Sequence, residues 1–61
     1  MASSTEIRAT QKTELFRILK LEKANEKRGI KVEGLRELII ELKAPMEAED
    51  VAYVEKIIAE L

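Results

Sequence analysis

The sequence predicts an all-α fold, a small three-helix unit with a long first helix and two shorter ones, assembled as a helical dimer or bundle. Three observations predict it. Charged residues make up 38% and apolar residues 46% of the 61 positions, with only two glycines and one proline to interrupt regular structure. Apolar residues recur at three- and four-residue intervals in the second half of the chain. A chain of this length buries only about 60% of its unfolded surface, so it is marginal alone and gains from a neighbour.

Each element has its own signals. Ser3 and Glu6 have the spacing of a capping box, which starts a helix near Ser4; Thr10 and Thr13 offer later starts. The first helix is expected over residues 5–28. Residues 1–13 contain only Ile7 and two alanines as apolar material beyond Met1, and are read as a weakly packed segment or frayed helix start. Residues 14–61 are read as the three-helix domain. Gly29 follows Lys27 and Arg28, the pattern of a left-handed C-cap behind a basic last turn.

Ile30, Lys31 and Val32 form a connector, and the second helix opens at Gly34 or Leu35. Its stripe is Val32, Leu35, Leu38, Ile39 and Leu42. Pro45 ends that helix near Lys43 and is expected to open the third, where its missing N–H is not needed. Glu47, Glu49 and Asp50 then suit the positive helix start. Val51, Val54, Ile57, Ile58 and Leu61 form the third stripe, and with no capping residue after Leu61 the helix is expected to reach the chain end. At 1.5 Å per residue the first helix spans about 36 Å and overhangs its partners, which favours self-association.

Charge is sorted along the chain. Residues 1–29 hold seven Lys/Arg against four Glu, and residues 30–61 hold four against eight acids. Within the predicted helices, like-charged pairs at four-residue spacing (Arg8/Lys12, Glu22/Glu26, Lys23/Lys27, Glu33/Glu37, Glu37/Glu41) outnumber the one opposite pair, Lys56/Glu60. Each like pair costs a few tenths of a kcal/mol in an isolated helix, so such faces are expected to meet opposite charge elsewhere. The acidic row Glu33, Glu37 and Glu41 is a candidate for electrostatic pairing with the lysines of the first helix, within one chain or across a dimer. The plainer reading is a solvated face.

On a helical wheel Lys12, Lys20, Lys23 and Lys27 surround Phe16, a candidate contact point for an acidic partner helix. The plainer alternative is that lysine stems cover an ordinary core Phe16. Ile40 lies off the second stripe, and with Tyr53 and Met46 it suggests a second apolar surface for a partner.

Catalysis finds no support. Cysteine and histidine are absent, and no Ser, Thr, Lys or Tyr has a nearby base or orienting group. No glycine-rich phosphate loop or calcium loop is present, and neither a metal nor a cofactor is expected. Leu35 to Leu61 has the outline of a helix-turn-helix, but its second helix shows Glu47, Glu49, Asp50, Glu55 and Glu60 to solvent, a surface that phosphates repel.

The function expected is therefore a non-catalytic protein–protein interaction module, a small regulator, adaptor or assembly domain. It self-associates and presents a charged amphipathic helix to a protein partner. One alternative is a nucleic-acid-binding regulator using Arg8, Lys12, Arg17, Lys20, Lys23, Lys27 and Arg28; another is a scaffold domain excised or engineered from a longer protein. With no export signal and no membrane-length apolar run, a cytoplasmic location and no membrane partner are expected.

Overall fold

The computed structural model describes residues 3–61, which form three helices and no strand: α1 (Ser4–Lys27), α2 (Leu35–Lys43) and α3 (Ala48–Ala59). α1 is the spine. Both shorter helices pack on it and have little contact with each other. Arg8 reaches the first turn of α3 and Lys23 reaches its end, so α3 runs parallel to α1, while α2 runs back along a different face of α1.

Local chemistry sets most of the boundaries. The Ser3 hydroxyl accepts the Glu6 N–H at 3.2 Å and fixes the start of α1. Thr13 is no helix start; its hydroxyl turns back to the Ala9 carbonyl at 3.0 Å, the i−4 bond open to a threonine inside a helix. At the other end the Gly29 N–H donates to the Glu26 carbonyl (3.1 Å) and the Ile30 N–H to the Asn25 carbonyl (2.9 Å). This is a Schellman closure with Gly29 at φ 72°. A methyl group on Gly29 would meet no atom within 4 Å, so alanine there suffers only the left-handed backbone penalty. Gly29→Ala is accordingly expected to lower stability by about 1 kcal/mol. Urea unfolding should show a lower midpoint at unchanged slope.

Pro45 does not open α3. It lies in a turn closed by the Met46 N–H on the Lys43 carbonyl at 3.0 Å, and Glu47 is the N-cap in an extended conformation. The extra residues let Met46 pack against the core before the helix begins. α3 also stops short of the chain end. Glu60 is its C-cap, and Leu61, assigned by its spacing to the inner stripe, is 56% exposed.

Among the described residues five apolar side chains are buried: Leu15, Leu19, Leu35, Ile39 and Val54, with Leu15 fully enclosed. Phe16, Ile18, Leu42, Met46, Val51 and Ile58 lean on this cluster from its margins. In α2 the inward line narrows to Leu35, Ile39 and Leu42, because a nine-residue helix resting chiefly on one neighbour covers only a narrow strip. Val32 and Leu38, predicted in the same stripe, remain exposed. The radius of gyration is 12.2 Å, against about 10.5 Å for a compact domain of this length. The unit is elongated, 40 × 24 × 17 Å, and has a thin interior.

Candidate functional site

α1 offers different chemistry on different faces, and the side chains singled out from the sequence divide among them. Arg8 faces α3. Its Nε donates to Asp50 Oδ2 at 2.8 Å and its Nη2 to Asp50 Oδ1 at 2.9 Å, and Nη2 also bonds Glu49 Oε1 at 2.7 Å. Asp50 is therefore not a solvent-side acid as expected. It is 5% exposed, and every fully buried side-chain N or O among the described residues has a partner. The Arg8 hydrogen bonds hold the Asp50 carboxyl below its ordinary range, against the opposing effect of burial, while Asp50 and Glu49 push the guanidinium higher still. The sequence carried one signal for this placement. Asp50 stands four residues before Val54 and shares its inward face. Its partner 42 residues away had no local signature.

The lysines of α1 also find uses within the chain. The Lys23 ammonium donates to the carbonyls of Ile58 (2.7 Å) and Leu61 (3.0 Å), satisfying groups that the end of α3 leaves open. Lys12 lies over the Tyr53 ring, 5.7 Å from its centroid, and Lys20 over Phe16 at 5.9 Å. Phe16 itself is half-buried against the core. A ridge remains along one edge of the α1/α3 pair: Lys12 on Tyr53, Lys20 on Phe16, and the exposed Lys27. Arg8 and Lys23 are withdrawn from the basic set that a nucleic acid would use.

Ile40, Tyr53 and Met46 do not form one surface. Met46 packs on the core and Tyr53 lies toward Lys12 of α1. Glu55, two residues beyond Tyr53, pairs with Lys43 of α2 at 3.2 Å, so Tyr53 faces away from α2 and from Ile40. Ile40 points outward at 62% exposure. Glu33, Glu37 and Glu41 are exposed, and none forms an ion pair among the described residues. The acids that answer α1 within the chain come from α3 instead.

Two concavities among the described residues lie against α1 and α2. An open cleft of about 510 Å³ beside the α1–α2 turn is lined by Glu22, Glu26, Glu33 and Glu37 together with Lys31 and Arg36. A shallower apolar groove of about 210 Å³ follows the seam between α1 and α2. Among the described residues no three acidic, His or Cys side chains are grouped to hold a metal ion, and no helix is long and apolar enough to cross a membrane. No protein-family model, no curated protein and no solved structure matches this chain.

Proposed function

We propose that the chain is a non-catalytic protein–protein interaction module, a small regulator, adaptor or assembly domain, that self-associates and presents the charged face of α1 to a protein partner. One observation carries the reading. The accessible surface is 4909 Å² for 7.0 kDa, where a folded monomer of that mass exposes about 4,000 Å². The excess of about 900 Å² is close to the ~800 Å² that each partner gives to a standard interface. The exposed surface also carries large apolar residues. Ile7, Leu21, Leu38, Ile40 and Tyr53 all stand in solvent. A thin interior and a surplus of exposed aliphatic surface have one cause, namely too few residues to enclose a core, and a neighbouring chain relieves both.

The ridge of Lys12, Lys20 and Lys27, with Phe16 and Tyr53 beneath the ammonium groups, suits an acidic helix from a partner. The row Glu33, Glu37 and Glu41 supplies a second face of opposite sign. Sedimentation equilibrium tests the central claim. A reversible dimer or larger assembly is expected by about 100 µM. A single monomeric species throughout that range would overturn the self-association reading.

A further inference from the structure

We infer that the occupant of the α1/α2 seam is a second copy of the chain, laid antiparallel so that Leu21 meets Leu21 on a two-fold axis and Glu14 of each copy meets Arg28 of the other. This deepens the self-association reading and rests on it. The seam groove is lined by Ile18, Leu38 and Leu42 with Glu14 and Arg17 at its edge, and it is almost wholly apolar at its floor. Leu21 stands beside it at 48% exposure and Leu38 at 39%. α3 does not obstruct this side, because it occupies the face of α1 that carries Arg8, Lys12 and Lys23.

Charge selects the occupant and its direction. Glu14, Leu21 and Arg28 are seven residues apart and therefore share one stripe of the helix and its C-cap. Glu14 and Arg28 are exposed, and neither forms an ion pair among the described residues. In an antiparallel pair centred on Leu21, residues equidistant from it face each other. Glu14 then meets Arg28 twice, once on each side of the axis. A parallel pair would set Glu14 against Glu14 and Arg28 against Arg28. The stripe is thus complementary to itself in only one orientation, as a closed two-fold interface requires.

Sedimentation of the intact chain and its variants at low ionic strength tests the arrangement. Leu21→Asp should weaken association about 30-fold, since it sets a carboxylate at the apolar centre, while far-UV circular dichroism stays unchanged because Leu21 lies outside the core. Glu14→Arg and Arg28→Glu should each weaken self-association about tenfold by turning both ion pairs into repulsions. Mixing those two variants should restore wild-type association, because every facing pair in the heterodimer is then opposite in sign. Single swaps that weaken association without rescue on mixing would overturn the antiparallel pairing. A wild-type dimer indifferent to Leu21→Asp would place the interface elsewhere and sink this inference alone. A monomeric wild type would remove the self-association reading along with it.

Discussion

Leu15→Ala is expected to remove a large share of the chain's stability and to lower its melting temperature steeply. Leu15 has no exposed surface, and it sits where α1 meets both shorter helices. Replacing a buried leucine by alanine costs about 2–5 kcal/mol, from lost transfer free energy and from the cavity left behind. A chain of 61 residues has a total stability of about 3–9 kcal/mol at the usual value per residue. The substitution therefore removes a large share of the whole. Few other side chains can compensate, because among the described residues only four further apolar ones are buried. Ile40→Ala is the matched control. At 62% exposure it should change stability by no more than about 0.5 kcal/mol. Thermal unfolding followed by far-UV circular dichroism, at one protein concentration to hold any association constant, separates the two. A Leu15→Ala melt that overlays the wild type would contradict the core described above.

Acid should destabilise the fold through Asp50, and substitutions at either end of its ion pair should change that dependence in different ways. The folded state holds the Asp50 carboxyl below its unfolded value through the Arg8 hydrogen bonds. The unfolded chain thus binds the proton more readily. The stabilisation is present above the unfolded pKa of about 3.9 and is lost as pH falls through that value toward the folded one. Asp50→Asn should flatten this acid limb. Arg8→Met should do more, since it leaves a buried carboxylate without its guanidinium, and burial alone favours the neutral acid. The contribution of Asp50 should then reverse sign, with stability falling as pH rises through the carboxylate range. Its loss near neutral pH should exceed that of Asp50→Asn, where the half-exposed Arg8 can return to water. Urea titrations between about pH 3 and 7 read both slopes. An Arg8→Met protein with the wild-type profile would show that the pair does not govern the acid limb.

The parts of the fold legible in the sequence are those fixed by short-range chemistry. Ser3 with Glu6, Gly29 behind two basic residues, and Gly34 ahead of Leu35 mark boundaries because each signal acts within one turn. The inward face of α1 was not legible. Ile7, Leu15, Phe16, Ile18, Leu19 and Leu21 cover a wide arc, and only the arrival of two helices decides that Leu15 and Leu19 go inside while Ile7 and Leu21 stay out. The start of α3 was misplaced for a related reason, since Met46 docking on the core outweighs the local preference of Pro45 for a first helical turn. Of the lysines around Phe16, the use of Lys23 was invisible. Its partners are main-chain carbonyls 35 and 38 residues away, and a carbonyl carries no residue identity to read.

The same two basic side chains impose a ruler on the molecule. Arg8 holds the first turn of α3 and Lys23 holds its last carbonyls, so a shift of α3 by one helical turn, ~5.4 Å along α1, breaks both fastenings together. Aliphatic side chains are poor at forbidding such a slip, since one leucine greets another much as it would the next. Here the pitch of the assembly is kept by a guanidinium and an ammonium at opposite ends, with grease between them that is free to be imprecise.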